Sequence, residues 1–160
     1  MGIPCGPRLA RTRKQARVGV QHGLVGLVGD RAQHLARTVR PALEAGRIVL
    51  IDRLEDSTRA YQGAQGVSDQ AMDRLAEVVL GRLRTNLTVI LDMEPQEALK
   101  RVEARNAAAG EAFSETRFDL ETLDFHQRVR MRFLAIAQKE PQRVAVVPAE
   151  ADPGGVEAAV

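Results

Sequence analysis

The sequence predicts an α/β fold built on a parallel sheet, and three observations predict it. Short apolar runs recur at residues 47–51, 87–91 and 144–147, each with the look of a strand buried on both faces. Between them lie longer stretches in which apolar residues return with helical spacing, bracketed by residues that start and stop helices. Strands that alternate with helices build parallel sheets with right-handed crossovers.

Length and composition set the outer limits. At 160 residues, 44% hydrophobic and 28% charged, the chain has the size of one domain with a sizeable core. It contains no apolar stretch near the length that spans a membrane. Its single cysteine, Cys5, cannot form an internal disulfide, so a reducing, cytoplasmic setting is expected. The net charge of +2 is unevenly spread. Residues 1–29 hold Arg8, Arg11, Arg13, Lys14 and Arg17 and no acid, while the remainder is mildly acidic.

That basic head has the charge of a transit peptide or of a nucleic-acid-binding arm. It has no serine and no clear amphipathic face for the first, and no interleaved aromatic for the second. Residues 1–29 are therefore read as an atypical leader lacking order, and residues 30–160 as the domain proper. No nucleic-acid or membrane partner is expected.

Residues 30–45 read as a helix with Leu35, Val39, Ala42 and Leu43 on one face, Pro41 as a potential kink and Gly46 as a left-handed stop. The first strand, 47–51, follows. Residues 52–66 form a loop and short helix, with Asp56 or Ser57 as its cap, and Ser68 caps another helix running to about Leu83. The strand 87–91 closes at Asp92, and Pro95 opens a helix reaching about Arg105. Residues 106–116, small and polar around Gly110, read as a mobile loop. Residues 120–138 form a long amphipathic helix (Leu123, Val129, Phe133, Leu134, Ala137), then comes the strand 144–147, and a last helix starts at Val156.

The segment most apt for chemistry is residues 52–63, D-R-L-E-D-S-T-R-A-Y-Q-G. An Asp-Arg pair at the carboxyl end of a strand lies where ligands bind in open α/β sheets. Asp52 can hold a hydrated cation, and Arg53 offers a planar fork that fits a phosphate bidentately. Ser57, Thr58, Tyr61 and Gln62 add short polar groups and one aromatic face, a mixture that suits a nucleotide. The plainer reading is a strand end capped by an ion pair. His34 and His126 stand alone on helices without a second ligand at metal spacing, so no zinc site is expected.

Taken together the motifs resemble the thymidylate kinase family. They are D-R-A-Q-H at 30–34, R-P-A-L-E-A-G at 40–46, D-R-x-x-x-S-T-x-A-Y-Q-G at 52–63, L-T-V-I-L-D at 87–92, Arg101 with Arg105, and R-F-D with L-D-F-H-Q-R-V-R within 117–130. The resemblance implies a P-loop NTPase fold of the nucleoside monophosphate kinase type and transfer of the ATP γ-phosphate to dTMP with Mg2+. It implies roles as well. Arg53 would hold the acceptor phosphate, Arg31 the thymine carbonyl and Thr58 its ring nitrogen. Tyr61 would lie beside the sugar, and Gln62 would join the substrate side. Asp52 would position magnesium. Arg105 would close over the phosphates and Arg101 would lie near the ATP base. Phe118 would stack over the thymine with Asp119 beside it. A homodimer is the assembly the family suggests.

The sequence departs from the family as well as matching it. It holds no G-x-x-x-x-G-K-[ST], so no phosphate-cradling lysine or loop of amides can be named, and the central first strand that precedes such a loop is expected to be missing. Leu54 stands where an aromatic or histidine is usual. Two other readings therefore remain beside the kinase: a module that binds dTMP without catalysis, and a truncated gene product.

Overall fold

The computed structural model describes residue 26, residues 29–109 and residues 121–160. The chain divides into two compact units, Met1–Ile48 and Val49–Val160.

In the first unit residues 29–44 are helical and form α1. Its middle, Leu35–Val39, widens to a π-helix before α-geometry resumes at Arg40–Glu44. Pro41 explains the widening. Its ring has no N–H to donate and crowds the carbonyl four residues back, and the wider turn relieves both problems. The helix ends as the sequence predicts. Gly46 takes φ 72°, and its N–H and that of Arg47 close back on Leu43 and Ala42 at 2.9 and 3.0 Å.

The second unit opens with a correction. Residues 47–51 were expected to form a strand, yet they pair with nothing among the described residues, and Leu50 is 97% exposed. An apolar run becomes a strand only where a neighbour accepts its backbone hydrogen bonds. The observed sheet has two parallel strands, β1 (Thr88–Asp92) and β2 (Val144–Pro148), in the register Thr88 opposite Val144 through Asp92 opposite Pro148. A second correction concerns their faces. Ile90, Val144 and Val147 are buried, but Ile90 and Val144 lie on one face and Val147 on the other, while Leu91 is 56% exposed and Val146 40% exposed, so each face is covered only in part.

Helix α2 (Glu55–Ala64) has no side-chain cap, because its cap position is Leu54, and Asp56 and Ser57, the expected caps, both lie inside its first turn. It ends at Gly66, φ 92°, in the same hydrogen-bonded turn that closes α1. Ser68 caps α3 (Asp69–Leu80) by accepting the N–H of Ala71. Helix α4 (Pro95–Ala109) runs further than the predicted Arg105, so the first four residues of the expected mobile loop are helical; residues 110–116 lie outside the described residues. Thr122 caps α5 (Leu123–Lys139), and Asp152 caps the short α6 (Pro153–Ala159). No helix among the described residues is long and apolar enough to cross a membrane.

The core that positions the site lies between α2 and α5. Ala60, Phe125 and Val129 are buried together, with Tyr61, Ala64 and Phe133 packed against them. The buried face of α5 thus runs through Phe125, Val129 and Phe133, every fourth residue. Leu123, predicted to lie on that face, is 38% exposed.

Candidate active site

Two sets of polar residues flank α2, and they differ in kind. On one side Asp56 is almost fully buried. Both its oxygens accept from Arg143, at 2.8 and 3.0 Å, and Thr88 donates to it at 2.8 Å. Arg143 also donates to Thr85 at 2.6 Å and to Glu140 at 2.9 Å. Burial pushes the Asp56 carboxyl up, but the hydrogen bonds from Arg143 and Thr88 and the charges of Arg143 and Arg59 outweigh it and hold its pKa below the ordinary value. The same hydrogen bonds, to Asp56 and then to Glu140, raise the Arg143 guanidinium above its own. This network ties the start of α2 to the leading ends of β1 and β2. A polar cleft of ≈ 270 Å³ beside it is lined by Glu55, Arg59, Asp73, Glu77, Arg84 and Glu140 among others. Arg59 is already bound to Glu55 and Asp73 there, and Arg84 to the carbonyls of Gly81 and Leu83.

On the other side stands Arg53. It is exposed, it adopts φ 64°, and its guanidinium carbon sits 5.3 Å from the centre of the Tyr61 ring. Tyr61 is fixed in turn by Phe125 at 6.3 Å and by Phe133, edge-on, at 6.2 Å. Arg59, Arg130, Arg132 and Arg143 all grip carboxylates. Among the described residues Arg53 has no carboxylate, so its N–H fork is available to an anion from outside.

The other predicted residues fall as follows. Asp52 is exposed next to Arg53. A magnesium ion bound mainly by water and substrate phosphate needs only one or two protein carboxylates, and Asp52 fits that need. Thr58 is half-buried with its hydroxyl 3.5 Å from the Leu54 carbonyl, and Gln62 is buried. Arg31 lies on α1 in the other unit, where burial pulls its guanidinium pKa down. Arg101 reaches from α4 to the carbonyls of Ala149 and Glu150, at 3.1 and 2.5 Å, fastening the segment that leaves β2. Arg105 lies one turn further along α4 and is exposed. Phe118 and Asp119 lie outside the described residues. The structure therefore joins Arg53 to Tyr61 and leaves Arg101 at the far end of β2.

Sequence reasoning missed Arg143, whose partner Asp56 is 87 residues away. It also missed Arg130, which grips Asp92 with two bonds of 2.7 and 2.8 Å and holds α5 to the end of β1. That grip, chiefly its hydrogen bonds, keeps the Asp92 pKa low. No local pattern announces either pair. Phe125 was also left off the predicted buried face, although its one-turn spacing to Val129 and Phe133 is the signal that would have placed it there.

A parallel pair of strands flanked by helices, with an arginine fork held beside an aromatic face, defines an α/β protein. Comparison with known proteins narrows the class. The family model for thymidylate kinase matches residues 14–160. A thymidylate kinase of Solidesulfovibrio magneticus is 47% identical over 134 residues, 83% of this chain and 64% of that protein. One from Nitratidesulfovibrio vulgaris is 38% identical over 161 residues, 96% of this chain and 75% of that protein. The crystal structure of thymidylate kinase from Ehrlichia chaffeensis superposes with a TM-score of 0.61 at 27% identity, covering 84% of this chain and 57% of that one. The chain belongs to the thymidylate kinase family. It spans 64% and 60% of the lengths of two of its curated relatives.

Proposed function

We propose that this chain provides the acceptor side of a thymidylate kinase, the whole protein passing the γ-phosphoryl group of ATP to dTMP and releasing dTDP and ADP. Membership of the family carries this reading, and the available fork of Arg53 supports it. The second pKa of a nucleoside monophosphate lies near 6, so at neutral pH dTMP is already mostly a dianionic nucleophile. No general base is then required. What the protein must supply is positioning and positive charge. Arg53 would bind the dTMP phosphate bidentately, and Asp52 beside it would hold magnesium directly or through water. Bound magnesium would neutralise charge on the transferring phosphoryl group. Arg31, Thr58, Gln62, Phe118 and Asp119 belong to the thymidine side in this reading, Arg101 and Arg105 to the ATP side. A cytoplasmic homodimer is the expected form.

A second reading, binding of dTMP without turnover, is favoured by one observation. The 160 residues contain no G-x-x-x-x-G-K-[ST] to cradle the donor phosphates. Calorimetry with dTMP, and a coupled assay with ATP and dTMP, test both readings. Arg53→Ala should weaken dTMP binding by about 1.5–3 kcal/mol, the worth of hydrogen bonds to a charged group. A protein of these residues alone should turn over far below the usual kinase range of about 1–100 per second. Unchanged dTMP affinity in Arg53→Ala would reject the acceptor assignment, and ordinary kinase turnover would reject the second reading.

A further inference from the structure

Arg53 is the one described residue other than glycine with a positive φ. A side chain in the left-handed region is strained, and such strain persists where the surroundings over-determine it. Here the surroundings are aromatic. The Arg53 guanidinium lies over Tyr61 at 5.3 Å, and Tyr61 is held between Phe125 and Phe133, of which Phe125 is nearly fully buried. A guanidinium resting against a ring keeps the N–H groups of its edge free for an anion. Holding the fork in one orientation also removes part of the ordering cost that binding would otherwise incur.

From this we infer that Tyr61 is a positioning residue for Arg53. Its ring, braced by Phe125 and Phe133, and the left-handed turn at residue 53 aim the guanidinium at the phosphate of a nucleoside monophosphate. The inference rests on the acceptor function proposed above and gives Tyr61 a task distinct from the sugar contact that the family resemblance implies. Two consequences separate them. A residue acting through Arg53 matters only to ligands that carry the phosphate, whereas a sugar contact matters equally to the nucleoside.

Calorimetry with dTMP and with thymidine should be run on the wild type, Tyr61→Phe, Tyr61→Leu, Arg53→Ala and the double variant Arg53→Ala/Tyr61→Leu. Tyr61→Phe keeps the ring and should stay within about twofold of wild type for dTMP. Tyr61→Leu should lose about 2- to 30-fold in dTMP affinity, the range of a cation–π contact, while thymidine binding stays unchanged. In the Arg53→Ala background the same change should cost nothing further. Equal losses for dTMP and thymidine, or an undiminished loss in the Arg53→Ala background, would overturn the inference. The contact itself is read by NMR, as a ring-current shift of the Arg53 side-chain protons that Tyr61→Phe keeps and Tyr61→Leu abolishes. Absence of that shift in the wild type would overturn the positioning role alone. A wild type that shows the shift but binds no dTMP would overturn the acceptor function on which it rests.

Discussion

Arg143 and Arg53 flank the same helix and live by opposite rules. Arg143 is largely buried, bonded to Asp56, Glu140, Thr85 and Thr88, and every charge it faces is answered. Arg53 is exposed, sits on a strained backbone, and leans on a ring instead of a carboxylate. The first arrangement leaves an outside anion no room to compete, so its role is to fasten α2 to β1 and β2. The second spends backbone strain and leaves donors uncommitted, which a purely structural arginine would have no reason to do. Both are arginines near a short apolar strand or its expected place; only their surroundings tell them apart.

The sharpest way to break this comparison is to remove each side's partner and measure stability. Taking one member from a buried ion pair leaves the other charged and unanswered, a cost of about 3–5 kcal/mol. Asp56→Ala should therefore lower unfolding stability by about that much in a urea titration, a large share of the 5–15 kcal/mol, roughly, that a domain has. Arg53→Ala should change stability by less than about 1 kcal/mol while weakening dTMP binding. Equal destabilisation by the two variants would mean that Arg53 is structural after all.

A smaller effect tests how closely α2 and α5 are pressed together. Gly63 faces Arg132 so tightly that an added Cβ would run into the guanidinium, which itself reaches Asp69 at 2.9 Å. The obstructing atoms are the far end of a flexible, part-exposed side chain that can swing aside, and alanine is favoured over glycine inside a helix by about 0.5–1 kcal/mol. Gly63→Ala should therefore cost less than about 1 kcal/mol, and in the Arg132→Ala background it should become stabilising. If it stays costly in that background, the glycine is required for a reason other than this approach.

How much of this was legible in the sequence follows from how far each cause lies along the chain. The stop at Gly46 and the cap at Ser68 act within a few residues, so the end of α1 and the start of α3 were read closely, whereas the cap at Thr122 was overlooked and α5 was expected from Leu120 instead of Leu123. The strands β1 and β2 were placed within a residue because apolar runs bounded by polar residues are strong signals. Residues 47–51 gave the same signal and formed no strand, because pairing depends on a neighbour that a run of residues does not specify. In the candidate site, Arg53 and Tyr61 were visible through the motif they share. Their stacking was not, since it depends on a left-handed residue where no glycine warns of one. The Asp56–Arg143 pair was invisible for the plainest reason, its length in sequence.

The gentlest probe of the comparison is pH. Asp56 has its pKa depressed in the folded protein, and so has Asp92, held chiefly by its hydrogen bonds to Arg130. A depressed carboxyl binds fewer protons folded than unfolded, so its contribution is fully present above the unfolded value, about 3.9 for aspartate. It is lost as pH falls from there through the lower folded value. Stability should accordingly be level between about pH 7 and pH 5 as far as these two groups are concerned, and should fall below about pH 4. Asp56→Asn removes one of the protons taken up on unfolding, so the variant, though less stable at neutral pH, should lose stability less steeply in acid. Arg53→Ala should leave the acid slope as it is in the wild type, because Arg53 holds down no carboxylate among the described residues. Denaturant titrations at several pH values between about 2.5 and 7 would show this as parallel acid limbs for wild type and Arg53→Ala, and a shallower limb for Asp56→Asn. An acid limb made shallower by Arg53→Ala would reveal a carboxylate partner for Arg53, and with it an arginine no freer than Arg143.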